Sequence, residues 1–183
     1  IEFSERTKLF VEKLNIDEMV AQLLVSEGFA TLEEVAFVQK DEISNIDGFD
    51  DNTAEELQAR ARECLDELNL TALTKAKELG VEEELIKFPG LTPPMLELLA
   101  KDGIKTLNEF ATCADWELAG GYTTVEGKRV KDDGLLETLD VSLEEARKLV
   151  MSARLSIGLI TQSEYDSEME ENSLENENDP NNI

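Results

Sequence analysis

Cys64 and Cys113 could ligate zinc, close a disulfide or act as nucleophiles. They form no CxxC pair, and the chain has no histidine to complete a zinc site. Two reduced, partly buried thiols of a cytosolic protein is the reading we adopt, with a disulfide as its alternative. The missing histidine also removes a Ser-His-Asp triad, a Cys-His dyad and a His-based metal centre. Carboxylates are everywhere, and no pocket is legible that would raise the pKa of one above its neighbour's. Gly48 invites an EF-hand test. With glycine at loop position six, position one falls on Ile43, which cannot ligate calcium. There is no GxxxxGK, no GxGxxG, and no GxxG pair of the kind that clamps RNA in KH domains. The expectation is a protein that is not an enzyme, with no metal and no cofactor.

One motif does have a chemical use. Ile46-Asp47-Gly48-Phe49, followed by Asp50 and a long helical pattern, has the form of a helix-hairpin-helix turn. The amides of such a hairpin face a phosphate when basic residues lie nearby. Here Asp47, Asp50 and Asp51 would stand where the phosphate should. The hairpin therefore reads as structural. The whole chain agrees, with 42 acidic against 17 basic residues and a net charge of −25. Phosphate binding relies on clustered Lys and Arg that release counterions. An acidic surface suits basic partners, or serves solubility.

The elements that position these residues come in two copies. EGFATLEEVA at 27–36 and DGIKTLNEFA at 102–111 share Gly, Thr, Leu, Glu and Ala in register at an offset of 75. Upstream, Val20, Leu23 and Leu24 match Met95, Leu98 and Leu99. Downstream, Ile43 matches Leu118. At a new offset of 92, Ala54, Leu57, Ala61, Leu65 and Leu68 match Ala146, Leu149, Ala153, Ile157 and Ile160, and Arg62 matches Arg154. The change of offset places a 17-residue insertion near 121–137 of the second copy.

The pattern predicts short helices joined by tight turns. Val20, Leu23 and Leu24 form one helical face. Gly28 and Gly103 end that helix in the left-handed conformation that favours glycine. Thr31 and Thr106 cap the next, with Glu34 and Glu109 at capping-box spacing. Phe88-Pro89-Gly90-Leu91, with Thr92 as cap, is another helix start. The last hairpin of the second copy is Leu139-Asp140-Val141-Ser142, without glycine, so its turn must differ.

The expected fold is all-α: two tandem helix-hairpin-helix domains joined by a linker, with a disordered acidic tail. We divide it into a helix leading in from a preceding domain (1–15), a first repeat (16–69), a connector (70–87), a second repeat (88–162) and the tail (163–183). The tail has eight acidic residues and no basic ones. Alternation around Glu126-Gly127 predicts a loop or β-hairpin in the insertion. Lys128, Arg129 and Lys131 make it locally basic, which fits either a solvated tip or a partner contact. No apolar run is long enough to span a membrane. The chain reads as a fragment or a processed form of something longer.

LVSEGFATLEEVAFV at 24–38 and NIDGFDDNTAEELQARA at 45–61 resemble the first acidic repeat of the NusA family of bacterial transcription elongation and termination factors. FPGLTPPMLELLAKDGIKTLNEFA at 88–111 and LEEARKLVMSAR at 143–154 resemble the second. The resemblance covers roughly residues 8–160, and the insertion departs from the shortest family pattern. It implies a cytoplasmic, monomeric protein-interaction region acting in pausing, termination and antitermination. Its implied partners are the C-terminal domain of the RNA polymerase α-subunit, other transcription regulators, and the factor's own RNA-binding domains, which the second repeat would cover. The first repeat would bind a phage antitermination protein. Direct nucleic-acid binding would be slight. The partner contact is expected at Asp140, Val141, Ser142, Glu144, Glu145, Arg147 and Lys148, with Lys128 and Arg129 as a second edge. The rival reading is a nucleic-acid binder using the second repeat and its insertion. Charge separates the two copies: residues 1–70 hold 6 basic and 18 acidic residues, residues 71–162 hold 11 and 16.

Overall fold

The computed structural model describes residues 2–177. Among them are eleven α-helices, a 3₁₀ turn and one two-stranded antiparallel sheet. The chain divides into two compact units, Ile1–Thr71 and Ala72–Ile183, each with its own apolar cluster. The mostly helical, tandem helix-hairpin-helix expectation holds.

In the first unit, α1 (Glu2–Leu14) precedes α2 (Glu18–Ser26), α3 (Leu32–Phe37), α4 (Lys40–Ser44) and the start of α5 (Asp51–Glu78). Asp17 caps α2 by accepting the Val20 amide at 3.0 Å. Gly28 ends α2 at φ +98°, which lets the Phe29 amide reach back to Leu24 O (3.1 Å). Thr31 then opens α3 with a complete capping box to Glu34. Leu24, Val35, Ile43, Ala54 and Ala61 are fully enclosed. Each large side chain among them contributes about 1.5–3 kcal/mol on burial. The leading helix is part of this core, because Phe10 and Leu14, one turn apart, are both buried in it.

The second unit repeats the scheme with α7 (Pro93–Lys101), α8 (Leu107–Ala111), α9 (Asp115–Ala119) and α10 (Leu143–Ser156). Gly103 repeats Gly28 at φ +87°, and the Ile104 amide donates to Leu99 O (2.9 Å). Thr106 and Glu109 repeat the capping box. The segment 70–87, expected as a helical or partly mobile connector, is largely helical. α5 runs on to Glu78, and α6 spans Glu83–Ile86. Ala76, Val81, Leu85 and Phe88 are buried in the second core. Ala76 lies on α5 and Leu85 on α6, so both helices reach the second core.

The insertion forms a β-hairpin, β1 (Gly121–Val125) with β2 (Lys128–Asp132), turning at Glu126-Gly127. Glycine closes its neck. A Cβ on Gly134 would lie 2.2 Å from Gly120 N and 2.3 Å from Ala119 C. That close approach lets Leu135 and Leu136 donate to Glu117 O and Leu118 O at 2.9 Å each. Leu118 and Leu136, at the two sides of the neck, are fully buried. The hairpin is thus tied off from a core that keeps the repeat pattern.

The expected disordered tail is corrected over most of its length. Gln162–Glu177 forms a further helix, α11. Thr161 and Glu164 start it, with the Thr161 amide donating to Glu164 Oε2 at 2.7 Å. Tyr165 and Met169, one turn apart, are half-buried. Residues 178–183 lie outside the described residues.

Candidate functional site

Cys64 is half-buried and Cys113 buried, and both are free thiols. Burial pushes the Cys113 thiol up to about 11, away from nucleophilic use. Among the described residues, no group of three or more His, Cys, Asp or Glu could hold a metal ion. None of the described helices is long and apolar enough to cross a membrane.

The first hairpin is built as a turn rather than a phosphate cradle. The Phe49 amide donates to Ile46 O at 2.9 Å, and Asp50 accepts the Thr53 amide at 2.8 Å. That bond holds the Asp50 carboxyl below its ordinary value, so a negative charge sits at the start of α5. Lys40 answers with ion pairs to Asp51 (3.5 Å) and Glu55 (3.0 Å). Nearby, Phe37 is 71% exposed in a shallow cleft with Glu27, Glu33, Glu34 and Glu42 on its walls.

In the second unit the expected contact residues divide into structural and available groups. Val141 is buried in the core. Asp140 takes the left-handed conformation (φ 55°) that a glycine takes in the other hairpin. Asp tolerates it because its short polar side chain bonds locally. Ser142 and Glu145 form a capping box for α10, and the S-L-E-E spacing at 142–145 is its signal in the sequence. Val141, Ser142 and Glu145 therefore serve the fold first. Glu144 and Lys148 form an exposed pair one turn apart (3.1 Å), worth only a few tenths of a kcal/mol. Arg147 bonds Asp115 on α9 at 2.8 Å.

Lys128 and Arg129 stand apart from that turn, on β2. Tyr122 and Thr124 face Lys131 and Arg129 across the ladder, and the Arg129 guanidinium lies 4.2 Å from the Tyr122 ring centre. The hairpin is exposed on both faces, with Tyr122, Val125 and Val130 open to solvent. Lys131 ties its base to the 3₁₀ turn Glu137–Leu139 through Glu137 (2.8 Å). That pairing raises the Lys131 pKa and lowers that of Glu137.

Sequence reasoning passed over the exposed aromatic residues. Trp116 on α9 is 52% exposed beside Arg147 and Arg154, in a cleft of about 620 Å³. A lone aromatic in a short helix gives no periodic signal, so its exposure was not legible.

Residues 15–63 match the family described as SAM-like helix-hairpin-helix tandem. A stretch of 108 residues, 59% of the chain, is 37% identical to the transcription termination/antitermination protein NusA of Rickettsia prowazekii. A stretch of equal length is 35% identical to the protein of the same name in Rickettsia conorii. The match spans 22% of the length of each relative.

Proposed function

We propose that this chain, which resembles the acidic-repeat region of the NusA factors, is a non-catalytic protein-interaction region of a cytoplasmic transcription factor. Its role is to tune pausing, termination and antitermination. The observation that carries this reading is the first hairpin: it bears Asp47, Asp50 and Asp51, and its Phe49 amide is already bonded to Ile46 O, in a chain of net charge −25. What remains on offer is protein-binding surface. The repeat of the second unit, within residues 71–162, is closer to charge balance than the first 70 residues and suits the C-terminal domain of the RNA polymerase α-subunit. Its contact edge comprises Glu144, Arg147 and Lys148 on α10, with Lys128 and Arg129 on the hairpin. The first unit, with Phe37 among carboxylates, suits a basic regulator. In the longer factor, the acidic surface would also dock on the RNA-binding domains and weaken their hold on RNA. Tethering places such a contact at an effective concentration of about millimolar.

Calorimetry with the C-terminal domain of the polymerase α-subunit tests the reading. The double variant Glu144→Lys/Lys148→Glu keeps an ion pair within the helix but exchanges the charges at its surface. The intact chain should bind, and the double variant should bind about tenfold more weakly, a loss of about 1.4 kcal/mol. No binding by either chain would remove this partner.

The rival reading keeps one observation in its favour: the Tyr122–Arg129 face of the hairpin, with a ring for stacking and an adjacent cation. A gel shift on single-stranded RNA at low and high salt tests it. Binding that vanishes in the double variant Lys128→Ala/Arg129→Ala would favour it.

A further inference from the structure

The hairpin of the second unit contributes to neither apolar cluster. Every residue of β1 is exposed, and every residue of β2 except Asp132. Its two-residue turn, Glu126-Gly127, has both φ angles positive (49° and 77°), the form that matches the twist of paired strands. The strands pair without a break from Gly121–Asp132 to Val125–Lys128. Such a ribbon is marginal in water without a third strand or a helix to pack on. Here Tyr122, Val125 and Val130 lie 60%, 54% and 41% exposed.

The two outer edges of the ribbon differ in chemistry. β2 carries Lys128, Arg129 and Lys131. Charges of this kind guard an edge strand against pairing with another chain. β1, Gly-Tyr-Thr-Thr-Val, carries none, and its aromatic and β-branched residues favour extended pairing. The outer amides and carbonyls of β1 are therefore an unguarded template for another strand. Net charge singles out the same place. Residues 121–132 hold three cations and two carboxylates, in a chain of net charge −25. A second copy of the chain meets less repulsion here than elsewhere on so acidic a molecule, and it brings an uncharged strand of its own.

We propose that β1 docks antiparallel against β1 of a second copy of this chain, so that two hairpins join into one four-stranded sheet. The register that overlaps the strands fully sets Thr123 opposite Thr123 of the second copy. It also sets Tyr122 opposite Thr124, and Val125 opposite Gly121. Threonine pairs and aromatic–β-branched pairs are favourable cross-strand neighbours, and no charges oppose one another. The contact is two-fold and closed. Growth beyond two copies is blocked, because the matching pairing of β2 with β2 would set Arg129 opposite Lys131. The proposal departs from the monomer that the family resemblance implies, and it does not rest on the polymerase contact.

Two short strands make a small interface, so the dimer is weak and forms at high protein concentration. Its salt dependence is diagnostic. The acidic bodies repel, and salt screens that repulsion: the Debye length falls from about 8 Å at physiological ionic strength to about 3 Å at 1 M. Association through the uncharged edge should strengthen with salt. Docking of the basic hairpin on the acidic surface of a second copy would weaken with it. Sedimentation equilibrium of the full chain at both ionic strengths reads the difference. Two variants, Thr123→Lys and Thr123→Glu, each set like charges opposite one another at the two-fold axis.

The intact chain should dimerise, and more tightly at the higher salt. At physiological salt each variant alone should dimerise about fivefold more weakly. Their equimolar mixture sets opposite charges across the axis and should regain at least the affinity of the intact chain, which also shows that both variants fold. Thr123→Lys lowers the net charge, so its weakening cannot come from repulsion between the bodies. A chain that stays monomeric at both salts would overturn the proposal, as would association that weakens with salt. So would undiminished dimerisation of either variant alone, or a mixture that pairs no better than its parts.

Discussion

Arg62 and Arg154 carry the same bond in both units. Arg62 Nε donates to Ala36 O at 3.0 Å, and Arg154 Nε donates to Ala111 O at 2.8 Å. Both donors and both acceptors are paired by the sequence offsets, so the duplication reaches individual hydrogen bonds. Arg154 adds Cys113 O as a second acceptor. In the first unit the carbonyl at that place, Val38 O, is instead served by Gln58 (2.7 Å). Replacing either arginine by methionine keeps the aliphatic packing and strands the carbonyls, at about 1–3 kcal/mol each. Urea unfolding should show both losses, with Arg154→Met the larger. Equal stability of both variants and the parent would refute this role. A second prediction concerns Glu109, whose carboxyl is held below the ordinary 4.5 by the backbone amides of Lys105 and Thr106. A depressed carboxyl contributes stability above its unfolded pKa and loses it as pH falls through the folded value. Glu109→Ala should therefore lower the melting temperature at pH 7. The gap to the parent should close as pH drops below about 4.

At the scale of elements, Leu57 and Leu149 occupy matched places on α5 and α10 but are not equally enclosed. Leu57 is 3% exposed, whereas Leu149 is only partly buried against its core. Leu57→Ala should cost about 2–5 kcal/mol, and Leu149→Ala clearly less, measured by calorimetric unfolding. Equal losses would mean that the two stripes pack alike. The neck of the hairpin makes a further test. Gly134→Ala forces a Cβ into the backbone of Gly120 and Ala119 and should cost about 1–3 kcal/mol, with the strand amides losing exchange protection. Much of this was legible in the sequence. Thr31–Glu34, Thr106–Glu109, Gly28 and Gly103 are local signals, and a capping box or a left-handed glycine needs no distant partner. The hairpin at Glu126-Gly127 was legible for the same reason. The role of the 70–87 segment was hidden, because Val81 and Leu85 become core residues only when a particular neighbour covers them. α11 was hidden because Gln162–Glu177 has no apolar stripe, so its residues read as solvated charge. The residues proposed as a contact edge were legible only as polar positions. That Val141, Ser142 and Glu145 are held by the fold emerged only with the turn's geometry.

For the whole molecule, charge is the organising quantity. The first 70 residues carry three times as many acids as bases, and residues 71–162 are closer to balance. Repulsion of phosphate should therefore act on the whole chain, and selective protein contact should fall mainly on the second unit. The most direct test is to label the protein with ¹⁵N and record amide spectra during two titrations at physiological salt. One uses the C-terminal domain of the polymerase α-subunit, the other a single-stranded RNA. The account predicts saturable shifts with the protein domain, clustered on α10 and the hairpin of the second unit, and none with RNA. Saturable shifts with RNA on the hairpin, and none with the protein domain, would contradict it.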